Sequence, residues 1–118
     1  MGHSRRRPIT GQTVANVVAA TYIIVEMTDR PTTIQCIANG TVTYTVDRTI
    51  QNIFYSTAVI AAKHLDTNRY VDPAAAAWAS VATTGSVSTL NDVDTPVFAF
   101  RINQTAGTGS VTYTILQA

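Results

Sequence analysis

The sequence predicts an all-β fold: a jelly-roll-like β-sandwich of about seven to eight antiparallel strands behind an extended N-terminal arm. Three observations carry this prediction. Runs of Val, Ile, Thr and Tyr recur along the chain, and these branched or aromatic side chains suit a pleated surface. Within the runs, apolar and polar residues alternate with period two, as in Ile34, Cys36 and Ala38 or Val42, Tyr44 and Val46. Short clusters holding Gly, Pro, Asn or Asp separate one run from the next. With 118 residues and 46% hydrophobic content there is material for a single core, since domains cluster near roughly 100 to 150 residues.

Residues 1–12, MGHSRRRPITGQ, read as a basic arm outside regular structure. Pro8 fixes its own φ and restricts Arg7, and Gly11 follows. Residues 13–118 then form one sandwich domain. From Thr13 to Thr28 the β-branched density is high, and ATYIIVEMT reads as a largely buried strand. The spacing of Val14, Val17 and Val18 also suits a helical turn, but valine and isoleucine favour the pleated form.

In TIQCIANGTVTYTV the two alternating runs flank Asn39-Gly40, the signature of a β-hairpin with a type I′ turn. Thr41, Thr43 and Thr45 make the second face of the later run mildly polar rather than charged. Between Arg48 and Asp72 the pattern loosens, with a strand expected at 52–56 and a turn-rich DTNRYVDP. The four alanines of AAAAWASV favour helix by propensity. Trp78, Ser80 and Val81 fit an irregular loop leading into a strand equally well. TTGSVSTLNDVDTP holds a short strand between turn residues, and Pro96 opens a closing hairpin, VFAFRINQTAGTGSVTYTILQA, with glycines in its loop.

Charged residues make up only 13% of the chain, against about 25% in an average protein. Thr, Ala and Val take their place, a composition suited to a surface that something else covers. A net charge of +1 gives no global field to gather nucleic acid or an anionic membrane. No apolar run approaches the roughly 18 residues of a membrane span, and no signal-peptide cleavage pattern follows the basic start. The expectation is a soluble protein assembled in the cytoplasm. The lone Cys36 lies on the apolar face of its run and reads as a small buried hydrophobe.

Candidate chemistry is sparse, and no enzymatic activity and no cofactor are expected. His3 and His64 are too few and too far apart in kind to make a metal cluster or a catalytic pair. Asp92 and Asp94 resemble a fragment of a calcium loop without its glycine and later glutamate. Asp66 and Asp72 read as turn formers. GTGS at 107–110 has no following lysine and lies between strands, so it fails as a phosphate loop. Trp78 and Tyr70, with the other tyrosines, are the candidates for a carbohydrate-stacking or partner surface.

Three stretches carry a resemblance to a family. They are GTVTYTVDRTIQN at 40–52, Trp78 in AAWASV, and TPVFAFRINQTAGTGSVTYTILQ at 95–117. In the order of Tyr44, Trp78, Pro96, Arg101, Asn103 and Gly109 they resemble the small β-sandwich virion proteins of tailed bacteriophages. The resemblance covers roughly the last 80 residues and excludes the arm. It implies a non-enzymatic role on the virion without saying which, and the role expected here is a capsid decoration (cement) protein that binds between major capsid subunits. A neck, tail or fibre component is the alternative within the virion, and a carbohydrate-binding β-sandwich module the alternative outside it. The expected partners are the major capsid protein or other virion proteins, together with further copies of the chain in a homo-oligomer, with a trimer as the working guess and no nucleic acid or membrane. Arg5, Arg6, Arg7 and Ile9 are the expected docking residues, since planar guanidinium groups match carboxylates on a partner.

Overall fold

Wherever the period-two pattern runs between turn residues, a strand forms. The computed structural model of the protein describes residues 8–25, 31–51, 53, 71, 73–83, 87–93, 95 and 97–117. Its strands are β1 (Ile9–Gln12), β2 (Ala20–Ile24), β3 (Thr32–Asn39), β4 (Val42–Thr49), β5 (Ala79–Thr83), β6 (Thr89–Val93), β7 (Ala99–Gly107) and β8 (Ser110–Gln117). No helix occurs among the described residues. AAAAW is turn and bend leading into β5, and the strand expected at 52–56 lies almost wholly outside the described residues.

The strands form two four-stranded sheets, ordered β1-β8-β3-β6 and β2-β7-β4-β5, with every pairing antiparallel. This is the jelly-roll order, in which the chain passes between sheets at almost every connection. Both hairpins read from the sequence are therefore corrected. β3 pairs with β6 and β8, while β4 pairs with β5 and β7, so the Asn39-Gly40 turn joins strands of opposite sheets. β7 and β8 are split between the sheets in the same way. Alternation says which residues of a strand face the core, and it is identical whether the next strand lies beside the first or across the core from it. The turn differs accordingly. Gly40 has φ 76°, and Asn39 does not share the positive φ that a type I′ turn needs at two successive residues.

The inward positions interdigitate between the sheets. Ile34, Cys36, Val111 and Ile115 come from the first sheet; Tyr44, Val46, Phe100 and Ile102 come from the second, each at most 1% exposed. Tyr44 is 0% exposed and its hydroxyl donates to the Val87 carbonyl at 2.7 Å, so the one polar atom of this core ring is satisfied. Cys36 is packed as expected, and burial pushes its thiol up from 9.0 to about 11, partly opposed by a side-chain hydrogen bond with Thr89.

Residues 9–12, assigned to the arm by sequence, form edge strand β1. Ile9 pairs with Ile115 and packs against the core. The Tyr113 ring lies over Gly11, and an added Cβ would meet the ring carbon Cζ at 2.5 Å, so a larger residue there would push the ring aside. Missing pairing signal in four residues is compensated by this cross-strand aromatic cover.

Two turns of opposite strand pairs meet at one end. The Gly109 amide donates to the Thr41 carbonyl at 2.7 Å. A Cβ on Gly107, which has φ 96°, would lie 2.9 Å from the Thr41 carbonyl carbon, and one on Gly109 would lie 3.0 Å from the Thr41 oxygen. Gly40 faces open space, its nearest neighbour being Gly109 Cα at 3.7 Å. Gly107→Ala is thus expected to cost about 3 kcal/mol and Gly40→Ala about 1 kcal/mol. Urea denaturation of the two variants checks the ranking. For Cys36, the unfolded thiol ionises first as pH rises, so its contribution is complete below pH 9.0 and lost on the way to about 11. Over that window the native chain should lose about 2 kcal/mol more stability than Cys36→Ala, measured by denaturation at each pH.

Candidate interaction surfaces

Four connections leave strand ends at one end of the sandwich: residues 13–19, 39–41, 84–88 and 107–109, of which 84–86 lie outside the described residues. Hydrogen bonds knit the described parts together sideways. Asn16, at φ 60°, directs its amide to the Gly109 carbonyl at 3.4 Å, and Gly109 donates in turn to Thr41. Ser88 Oγ accepts from the Ala38 amide at 3.1 Å. Beneath them Gln104, 1% exposed, donates to the carbonyls of Gly109 (2.9 Å) and Val14 (3.3 Å) and accepts from Thr13 Oγ1 at 2.6 Å. Thr13 Oγ1 accepts from the Val111 amide at 2.9 Å. The end is therefore a satisfied, pre-organised surface.

None of the eight Lys and Arg or seven Asp and Glu residues of the chain falls in these four segments. They present Val14 at 69%, Val18 at 70% and Val87 at 63% exposure. A cleft of about 140 Å³ opens beside them, walled by Val14, Val17, Ala19 and Ala20 over Gln104. By sequence, the connections between β2 and β3, β4 and β5, and β6 and β7 hold Glu26, Asp29, Arg30, Lys63, Asp66, Arg69, Asp72 and Asp94, all outside the described residues.

The outer face of the second sheet carries a different arrangement. Tyr22, Arg101 and Asp47 lie side by side on β2, β7 and β4. Arg101 donates from Nε at 3.0 Å and from Nη2 at 2.7 Å to Asp47 Oδ2, with side chains 24% and 13% exposed. The guanidinium stacks 4.7 Å from the Trp78 ring centroid, and Tyr22 lies 5.7 Å away from Trp78, tilted by 32°. The indole N–H donates to the Pro73 carbonyl at 3.0 Å. Trp78 thus fastens the 73–78 segment onto the sheet. Its N–H and a ring face are used internally rather than laid open for a sugar.

The outer face of the first sheet is flat and nearly uncharged. Thr10 and Gln12 of β1, Thr112, Thr114 and Leu116 of β8, and Thr33, Gln35 and Ile37 of β3 stand in register beside Leu90 and Asp92 of β6. Leu90 is 66%, Leu116 48% and Ile37 43% exposed, and Asp92 accepts from Thr33 Oγ1 at 2.8 Å.

Of the residues the sequence singled out, Trp78 is in the outer cluster and Ile9 is in β1, while Arg5, Arg6, Arg7 and Tyr70 lie outside the described residues. Sequence reasoning missed Tyr22 and Asp47 as partners of Trp78. The available signal was that Asp47 and Arg101 are opposite charges, each in a strand of uncharged neighbours, Arg48 apart. Nothing in the sequence points to Gln104. Fold and surfaces define a single jelly-roll β-sandwich; the chain matches no family model, no curated protein and no solved structure.

Trp78 is the only tryptophan, so its fluorescence reads the outer cluster alone. Arg101→Ala leaves buried Asp47 without its counter-charge and should cost about 2 kcal/mol. Its emission should shift to the red as the 73–78 segment loosens, read in the same denaturation series.

Proposed function

We propose that this chain is a structural protein of a virus particle, in the form of a bacteriophage capsid decoration protein that clamps neighbouring shell subunits. One observation carries the reading: the outer face of the first sheet exposes Leu90, Leu116 and Ile37 among threonines, with Asp92 its single charge. Flat, charge-poor surfaces of this kind gain from being covered, at about 25 cal/mol per Å² of apolar area. Strands of 4, 8, 8 and 5 residues, spaced about 4.8 Å apart, make a face on the order of 400 Å². A stable interface takes about 800 Å² from each partner, and the basic arm, Arg5 to Arg7, supplies the added reach toward acidic groups of the shell.

A second reading has its own support. Jelly rolls with this strand order also build viral shells themselves, so the chain as a shell-forming subunit is the alternative within the same class. The experiment is gold labelling of particles that package the coding sequence of this chain. Label over the outside of the head, with shells still closed when the protein is stripped, is the expected outcome. Label on neck or tail moves the protein to those parts, and its absence from particles overturns the virion reading. Deleting residues 1–7 tests the arm while leaving β1 in place, and should weaken co-sedimentation with stripped heads about tenfold or more.

A further inference from the structure

β5 is an edge strand of the second sheet and β6 an edge strand of the first, and the two meet along one side of the sandwich. A cavity of about 230 Å³ opens between them, and we infer that it binds a small hydroxycarboxylate. The site stands whether or not the chain belongs to a particle.

Two polar residues on core-facing rows line this cavity from opposite sheets. Arg48 is in register with Phe100, which is 0% exposed, so it occupies an inward position at the end of β4, in the row of Val42, Tyr44 and Val46. Asn91 is in register with Ile34, 1% exposed, and is inward on β6 for the same reason. Between them, β4 and β5 shift register at Val46 and Asp47, a bulge of the kind that re-aims side chains beside sites.

The fold itself uses neither polar group. Asn91 Oδ1 is the single buried side-chain polar atom without a hydrogen-bond partner among the described residues. Among the same residues the Arg48 guanidinium has no ion-pair or hydrogen-bond partner, whereas Arg101 on the outer face is paired with Asp47. An unpaired buried acceptor carries its full desolvation cost, so keeping one at an inward position calls for a donor from outside the chain.

The groups present select the ligand. A guanidinium fork matches a carboxylate, and an amide oxygen accepts from an O–H or N–H group. Asp92 also lines the cavity, but its Oδ1 is engaged by Thr33 on the outer face, so Arg48 sets the charge inside. One cation without a second beside it suits a monovalent carboxylate better than a phosphate. A hydroxyl suits Asn91 better than an ammonium group, which Arg48 would repel. The exposed Thr95 at the wall adds a hydroxyl that donates or accepts. The volume equals that of about eight waters, room for a single sugar acid or a shorter hydroxy acid.

The test titrates the full chain with D-glucuronate and follows amide chemical shifts by NMR, with glucose and acetate as probes that lack the carboxylate or the hydroxyls. Shifts should centre on Arg48, Ser80 and Asn91, and glucuronate should bind at least about tenfold more tightly than either comparison probe, less so as salt screens the charge. Glycolate and methyl glucuronide then distinguish a free hydroxy acid from a sugar acid within a glycan, and tighter binding of either supports the site. Arg48→Gln and Asn91→Leu should each weaken binding about tenfold or more, and Arg48→Lys should keep part of it. Asn91→Leu should also hold or raise the thermal midpoint, because it removes an unpaired acceptor, whereas a purely structural asparagine would lower it. Absence of shifts at these residues with tens of millimolar glucuronate, equal binding of glucose, or an Arg48→Gln variant that binds like the wild type overturns the inference. Any of these results leaves the particle labelling to decide the virion reading separately.

Discussion

Gln104 has a fully buried amide inside a sandwich that offers it three protein partners, and the closed end of the fold depends on how that amide is used. Its carboxamide oxygen takes the Thr13 hydroxyl hydrogen, and its nitrogen serves the Gly109 and Val14 carbonyls. Thr13 then accepts from the Val111 amide. One side chain from β7 thereby satisfies polar groups of the first connection and of the turn before β8. Each of those groups, left unpaired in the core, would cost about 1–3 kcal/mol. The end of the sandwich can close over apolar residues because this network removes the need for water there.

Close backbone approach at the same end follows from that closure. The turns at 39–41 and 107–109 each carry a strand from one sheet to the other, so both must cross the same gap between sheets, about 10 Å wide. They cross it in contact, with Gly109 donating to Thr41 and glycine at 107 and 109 where a side chain would collide with the neighbouring backbone. The result is a short, tied-down end with valines on its outside. By sequence, the connections between β2 and β3, β4 and β5, and β6 and β7 are 25–31, 50–78 and 94–98, and they hold eight of the fifteen Lys, Arg, Asp and Glu residues. A jelly roll separates its connections into two sets by topology alone, and this sequence has loaded the two sets differently.

The outer cluster on the second sheet illustrates how a charge-poor protein uses the few charges it has. Asp47 and Arg101 are paired at 2.7 Å and capped by Trp78 and Tyr22. Partial burial under the aromatic rings reduces screening of the pair, and the rings in turn gain a cation to stack on. Trp78, expected from sequence to meet a ligand, is engaged here in holding a loop to its sheet, which leaves, among the described residues, the flat threonine face and the valine end as the surfaces open to partners.

The alternation of residues 32–49 and 99–117 determined, from sequence alone, that strands form there and which side chains enter the core. Ile34, Cys36, Tyr44, Ile102 and Ile115 are all where that alternation requires. The weak signal at 9–12 was not legible, because four residues containing a glycine show a strand only once Tyr113 covers Gly11. The outer cluster was half legible: Trp78 is conspicuous by rarity, whereas its partners Tyr22, Arg101 and Asp47 are separated by up to 79 positions from one another in chain order. Tertiary structure alone decided which strands pair. A period of two records the face of a residue and is blind to whether the following strand is hydrogen-bonded alongside or packed across the core. The difference lies in long-range pairings such as β3 with β8 and β4 with β7, whose register no local signal encodes. The sequence by itself therefore determined an all-β chain, and only the fold brought the connections at 13–19, 39–41 and 107–109 together at one end.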